Sequence, residues 1–181
     1  NMLRRQNQDD ALVFWGEDKV KRRLTFRETH DKVSVLAQAL KKAGVQPGDR
    51  VGGYLPNMPE AIIAMLAASS LGAVWSSTSP DFGVQGVLDR FGQIEPRILF
   101  SADGYYYNGK QHDSLAKLAE IREGLPSVEQ VIVAPLVASQ PMIDEVRDAV
   151  LWSDFSVNSD NIEFVDLPFN HPLYILYSSG T

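Results

Sequence analysis

The sequence contains no cysteine, which excludes disulfides, thiolate metal sites and cysteine nucleophiles. Long apolar runs are also missing: the longest, at residues 61–68, is too short to span a bilayer and is followed by Ser69 and Ser70. The sequence therefore predicts no membrane span. The lack of disulfides fits a cytoplasmic location.

Basic residues are fewer than acidic ones: 17 Lys and Arg stand against 23 Asp and Glu, which gives a net charge of -6 and a pI near 5.0. This balance argues against a nucleic-acid partner. It does not argue against a phosphorylated ligand, because backbone dipoles bind phosphate on acidic proteins. None of the three histidines has a second ligand at metal-binding spacing, so no metal-ligating residue is predicted.

Helical and strand-like patterns alternate along the chain after a short hairpin at residues 11–15 and 21–24. Thr25 to Glu28 forms a predicted capping box, and Gly44 a helix stop. A helix capped by Asn57, with Pro59 in its first turn, is predicted to continue through the apolar residues 61–71. Further helices are predicted at residues 84–94, 113–122 and 142–150, and strands at 50–55, 73–77, 97–101, 128–134 and 173–177, with a tyrosine-rich loop at 104–110. This order predicts an α/β fold, a mainly parallel sheet with helices on both faces.

The predicted last strand runs directly into Ser178, Ser179, Gly180 and Thr181. Ligands of open α/β sheets bind beyond the carboxyl ends of the strands. Hydroxyl side chains, backbone N–H groups and a glycine that allows close approach all suit a phosphate. Strand-then-turn sequences with serine and glycine are common, however, so these residues alone favour an ordinary turn over a phosphate site.

Several stretches resemble the adenylate-forming (AMP-dependent) ligase family. In that family a strand ends in Y-[ST]-S-G-[ST], as residues 177–181 do here, and a G-[VL]-x-x-G-D-R-V segment matches residues 44–51. Residues 56–60 and 71–74 also match family segments. The stretches 75–83, 88–96 and 103–110 resemble the acetoacetate branch of the family, and the resemblance covers essentially the whole chain.

The resemblance implies that residues 1–181 are part of the large N-terminal, AMP-binding domain, without the C-terminal domain. It implies an ATP-dependent ligase that joins acetoacetate to AMP and then to coenzyme A, assisted by magnesium. Ser178, Ser179, Gly180 and Thr181 would contact the β- and γ-phosphates. Partners would be these small molecules, and no catalytic residue is assigned within the chain.

A second candidate site is the stretch from Asn108 to Lys110. In related acetyl-CoA synthetases the corresponding loop carries basic residues near the nucleotide phosphates of coenzyme A, which implies a role for Gly109 and Lys110. Tyrosines stand here where those relatives often have arginine. A solvated surface lysine is the alternative for Lys110.

Two other functions stay open at this point. One is a different adenylate-forming enzyme, such as a ligase for another short-chain acyl group or an aryl acid, because the acyl pocket of this family lies mostly beyond Thr181. The other is a non-catalytic nucleotide-binding α/β module. A continuation of the parent sequence as T-G-x-P-K would favour the ligase.

We expect the isolated chain 1–181 to have no ligase activity, because it lacks the loop lysine, the ribose-binding acid, the hinge and the mobile C-terminal domain with its lysine. The measurement is pyrophosphate release from purified chain on addition of acetoacetate. Release that depends on acetoacetate would contradict this expectation.

Overall fold

The computed structural model describes residues 3–159 and 161–178. The helices are α1 (Phe26–Lys42), α2 (Pro59–Ser70), α3 (Val84–Ile94) and α4 (Leu115–Gly124). The strands are β1 (Asp10–Gly16), β2 (Val20–Thr25), β3 (Arg50–Tyr54), β4 (Val74–Thr78), β5 (Ile98–Ala102), β6 (Gly104–Tyr107), β7 (Lys110–Asp113), β8 (Gln130–Ala134) and β9 (Ala149–Leu151). Within the described ranges, no helix is long and apolar enough to cross a membrane.

The chain enters the main fold through the predicted hairpin and capping box, both of which are confirmed. β1 pairs antiparallel with β2, and Thr25 ends β2 and caps α1. The Glu28 N–H donates to Thr25 Oγ1 over 3.1 Å, and the Thr25 N–H donates to Glu28 Oε2 over 2.8 Å. The hydrogen bond from the Thr25 backbone N–H, followed by one from the Thr25 hydroxyl to Glu28 Oε2 over 3.0 Å, lowers the pKa of Glu28. The reciprocal pair satisfies two donors that an uncapped helix would leave free.

A five-stranded, wholly parallel sheet in the order β4-β3-β5-β8-β9 forms the centre of the molecule. Neighbouring residues of one strand point to opposite faces. Phe100 therefore packs into a core with α1 and α2, whereas Leu99 packs into a second core with α3 and α4. The predicted α/β fold, with helices on both faces of a mainly parallel sheet, is confirmed.

The indole of Trp75 lies so close to β3 that only a glycine fits at position 53. A Cβ on Gly53 would lie 2.7 Å from Trp75 Cζ2, and Trp75 is itself buried. The Trp75 ring lies 6.2 Å from that of Phe100, which lies 5.6 Å from that of Trp152. The absent side chain at Gly53 thus leaves room for one end of an aromatic row across this face.

Asn57 does not cap α2, contrary to the sequence prediction. The cap residue is Met58, without a side-chain hydrogen bond, and Pro59 occupies the first turn. Proline has a fixed φ suited to the first helical position and has no N–H to satisfy. The helix therefore starts at Pro59, which leaves Asn57 one residue too early to cap it.

Two further predicted elements are wrong. The tyrosine-rich stretch 104–110 is not a loop: β6 and β7 form an antiparallel hairpin, whose turn holds Asn108 and Gly109 at φ of 51° and 74°. No helix forms at residues 142–150. Asp148 has a φ of 58°, which ends helical geometry, and β9 follows and pairs with β8.

The predicted strand 173–177 is replaced by a single bridge. Tyr174 pairs in parallel with Trp75 of β4, and residues 175–178 have no strand assignment. The Trp75 N–H donates to Leu173 O over 3.1 Å, and the Ile175 N–H donates to Trp75 O over 2.9 Å. The segment therefore lies along the edge of β4 without forming a continuous ladder.

Substituting Gly53→Ala is expected to lower the free energy of unfolding by about 1–3 kcal/mol, because the new methyl group would overlap the Trp75 ring. Gly92→Ala is the matched control: Gly92 lies in α3 with no atom within 4 Å of a Cβ. The control is expected to gain about 0.5–1 kcal/mol from helix propensity. Chemical denaturation measures both, and equal effects would contradict the packing argument.

Candidate functional site

The strand order locates the candidate site at the carboxyl ends of β3 and β5. The connection after β3 leads to α2 on one face, and the connection after β5 leads through β6 and β7 to α4 on the other. Adjacent parallel strands whose connections diverge in this way open a crevice at their carboxyl ends, where ligands of α/β sheets bind.

Tyr54, the last residue of β3, fixes one wall of this crevice. Its hydroxyl lies 3.0 Å from Pro80 O and 3.1 Å from Phe82 O, so its one proton is shared between two backbone acceptors. Burial, followed by the nearby Tyr105 phenol and Asp81 carboxylate, raises the pKa of Tyr54 to about 12. The neutral phenol therefore holds the segment after β4 against the end of β3.

Polar groups converge on the same edge from β4 and β6. Ser79 Oγ donates to Asp81 Oδ2 over 2.9 Å. Burial, and then a hydrogen bond with Asp81, raise the pKa of Tyr105. Thr78 Oγ1 is buried and has no hydrogen-bond partner among the described residues. The edge thus brings Asp81 together with the Ser79 and Tyr105 hydroxyls, beside a buried Thr78 hydroxyl without a hydrogen-bond partner among the described residues.

Ser178 lies on the far side of β4 from β3. The segment before it runs parallel to β4, and Ser76 Oγ donates to Ile175 O over 2.9 Å. Tyr177 OH then donates to Arg90 O over 2.6 Å, and Ser178 is exposed. The predicted phosphate-binding residues Ser179, Gly180 and Thr181 lie outside the described residues. Ser178 is therefore placed after a segment directed toward the carboxyl edge, as a phosphate loop requires.

Gly109 and Lys110 lie in a different place, at the tip of the β6–β7 hairpin. The Gly109 N–H donates to Glu17 Oε2 over 2.9 Å, so the tips of the two hairpins meet. Lys110 is exposed. The Gly109 N–H is thus already occupied by a carboxylate, and Lys110 offers the free positive charge of this turn.

One cavity coincides with neither predicted patch. It has a volume of about 500 Å³, and Asp103, Asp113, Asp144 and Glu145 line it. Four carboxyl groups make it unfavourable for a phosphate. Asp103 also has a structural role, since it accepts hydrogen bonds from the backbone N–H groups of residues 136–138 at 2.7, 3.1 and 2.7 Å.

Among the residues that the structure describes, no three histidine, aspartate or glutamate side chains are grouped to hold a metal ion. Mg²⁺ prefers near-octahedral oxygen coordination that one or two carboxylates share with water and substrate phosphates. The described side chains do not provide a magnesium site by themselves.

Sequence reasoning missed the groups at the ends of β3 and β4. It names none of Tyr54, Thr78, Asp81 and Tyr105 as a candidate site residue. Their positions along the sequence could have indicated these residues. Tyr54 lies near the carboxyl end of the predicted strand 50–55, and the polar residues 78–81 follow the next predicted strand, 73–77.

Comparisons with known proteins identify the family. The family model described as "AMP-binding enzyme" matches residues 2–181, and the chain belongs to that family. Within it, the chain is 49% identical over 183 residues to acetoacetyl-coenzyme A synthetase from Rhizobium meliloti (strain 1021) and 46% identical over 191 residues to acetoacetyl-CoA synthetase from Macaca fascicularis. Both alignments cover 100% of the chain, which spans 28% of the length of each relative.

A solved structure of acetoacetyl-CoA synthetase from Streptomyces lividans superimposes with a TM-score of 0.90. It is 41% identical, and the match covers 99% of this chain and 28% of that one. The similarity therefore extends to the backbone of nearly the whole chain.

The free energy of unfolding is expected to fall by roughly 1–3 kcal/mol between pH 10 and pH 12 through Tyr54. The folded pKa lies above the unfolded value of 10.0, so the unfolded chain loses its proton first and stability decreases as pH rises. Denaturation at several pH values measures this. Tyr54→Phe should flatten the slope, and an unchanged slope would contradict the assignment.

Proposed function

We propose that the chain is part of the large N-terminal domain of an ATP-dependent acid–thiol ligase that forms acetoacetyl-CoA from acetoacetate, ATP and coenzyme A. The observation that carries this proposal is the full-length similarity of the chain to acetoacetyl-CoA synthetases from bacteria and animals. The cytoplasmic location indicated by the missing cysteines stays a prediction.

The reaction has two displacements. A carboxylate oxygen of acetoacetate attacks the α-phosphorus of ATP and pyrophosphate leaves; the thiol of coenzyme A then attacks the acyl carbon, loses its proton, and AMP leaves. The first step replaces a poor leaving group by a good one. Both steps depend on fixed phosphates and neutralised charge.

Ser178, Ser179, Gly180 and Thr181 are proposed to bind the β- and γ-phosphates through hydroxyl and backbone N–H groups. The position of Ser178 beyond the segment that pairs with β4 supports this proposal. Magnesium is proposed to arrive with ATP, where it would neutralise phosphate charge and be held mainly by phosphate oxygens.

Lys110 is proposed to attract the nucleotide phosphates of coenzyme A from the tip of the β6–β7 hairpin. Its exposure and the tight turn at Gly109 support this role. Because the Gly109 N–H is bonded to Glu17, the contribution of Gly109 is the shape of the turn, and the charge comes from Lys110.

The complete protein is expected to release pyrophosphate with acetoacetate, with a kcat/KM at least about tenfold higher than with acetate, propionate or benzoate. A pyrophosphate assay with this panel of acids measures it. If another acid gives the higher kcat/KM, that acid is the substrate and the assignment of acetoacetate is wrong. If no acid leads to pyrophosphate release, a non-catalytic nucleotide-binding module is favoured.

Two substitutions in the same assay separate the proposed ligand sites. Ser178→Ala should raise the KM for ATP, and Lys110→Met the KM for coenzyme A, each by about 3- to 10-fold. Lys42→Met is the control, because Lys42 is an equally exposed lysine at the end of α1. Equal effects of Lys110→Met and Lys42→Met would exclude the role of Lys110.

A further inference from the structure

Arg90 of α3 lies between two aromatic rings from distant parts of the chain. Its guanidinium carbon is 4.2 Å from the ring centroid of Phe82 and 5.8 Å from that of Tyr177. The planar guanidinium stacks well on aromatic faces and carries a permanent charge. Arg90 therefore connects the segment after β4 with the segment that leads to Ser178.

Two features of α3 fix the position of the Arg90 guanidinium. Arg90 Nη1 donates to Gly86 O over 2.7 Å. A Cβ on Gly86 would lie 3.3 Å from Phe82 Cδ1 and 3.6 Å from Arg90 Nη1. A glycine inside a helix costs about 1 kcal/mol relative to alanine. The space left by the missing side chain at Gly86 is used by the Phe82 ring and the Arg90 head group.

Tyr177 contacts Arg90 twice, through its ring and through its hydroxyl. The hydroxyl donates to Arg90 O over 2.6 Å, and burial raises the pKa of the phenol, which keeps it a donor. The bridge to β4 lies three residues earlier, at Tyr174. Tyr177 is thus the point at which α3 fixes the chain immediately before Ser178.

We propose that Arg90 is a positioning residue for the phosphate loop: its guanidinium packs between the Phe82 and Tyr177 rings, its backbone carbonyl accepts the Tyr177 hydroxyl, and together these contacts set where the chain enters Ser178. This inference rests on the proposed function of that loop. Its action is indirect, since the arginine orients Tyr177 and the loop then contacts ATP.

The proposal predicts the kinetic effect of two substitutions in the complete protein. Tyr177→Leu, which removes the ring contact and the hydrogen bond to the Arg90 carbonyl, should raise the KM for ATP by about 3- to 10-fold. Arg90→Met removes the ring contact and keeps the carbonyl, so it should raise this KM by about 2- to 5-fold. The KM values for acetoacetate and coenzyme A should change by less than about twofold, because the loop positions ATP alone. Arg27→Met, at an exposed arginine on α1, is the control.

A double-mutant cycle distinguishes positioning from direct contact with a phosphate. If Arg90 acts through Tyr177, Arg90→Met should have little further effect in the Tyr177→Leu background. If the two effects multiply, Arg90 acts independently of Tyr177 and the proposal is overturned. A uniform loss of all kinetic constants with a lower melting temperature would also overturn it, because that is the pattern of a purely structural residue.

A second measurement does not depend on activity. Chymotrypsin cleavage of the Tyr177–Ser178 bond in the native complete protein, followed by mass spectrometry, should be several-fold faster in Arg90→Met and unchanged in Arg27→Met. Equal cleavage rates would refute the positioning role. If the unmodified protein adenylates no acid, the proposed function fails, but the cleavage rates still decide whether Arg90 positions Ser178.

Discussion

Parallel pairing of β3 with β4 on one side and β5 on the other is the constraint on which the rest of the molecule depends. It makes β3 an interior strand, buries it on both faces and separates α1 and α2 from α3 and α4. It also brings the carboxyl ends of three strands to one edge. The polar groups at that edge come from segments that are separated in the sequence, so a local sequence pattern does not predict that they meet.

Hydrogen bonds at that edge fix the positions of the loops that follow the strands. The Tyr54 phenol, bonded to Pro80 O or Phe82 O, ties the end of β3 to the turn after β4. Asp103 ties the end of β5 to the turn after β8. Buried polar groups are costly unless they are bonded, so these two side chains specify loop positions as well as stabilising them.

The sequence predicts much of the fold because its helix signals are local. Residues 84–94 form α3 within the predicted bounds, and Thr25 and Glu28 make the expected capping box. The errors arise where the outcome depends on distant partners. β9 exists because β8 offers an edge, and the segment at Tyr174 pairs at one residue although its pattern indicates a strand. The β6–β7 hairpin could have been predicted from the sequence, since Asn108-Gly109 is typical of a two-residue hairpin turn.

The candidate site was predictable in part. The Ser178 region follows from its place after an apolar run, and the structure describes Ser178 alone of the four predicted phosphate-binding residues. The link between Glu17 and Gly109 is not predictable, because the two residues are 92 positions apart and only the packing of both hairpins brings them together. Arg90 is similar: its spacing indicates a helix surface, and its aromatic partners come from other segments.

The pairing at the edge of β4 has a consequence for the order of folding. Ser76 and Ile175 are 99 positions apart in the chain, whereas β3, β4 and β5 are joined by short helical connections. Contacts of large sequence separation form late, because loop-closure entropy is lost before they contribute stability. During synthesis β4 therefore stays an open sheet edge until the last described residues have emerged, and an open edge is a site of wrong pairing between nascent chains.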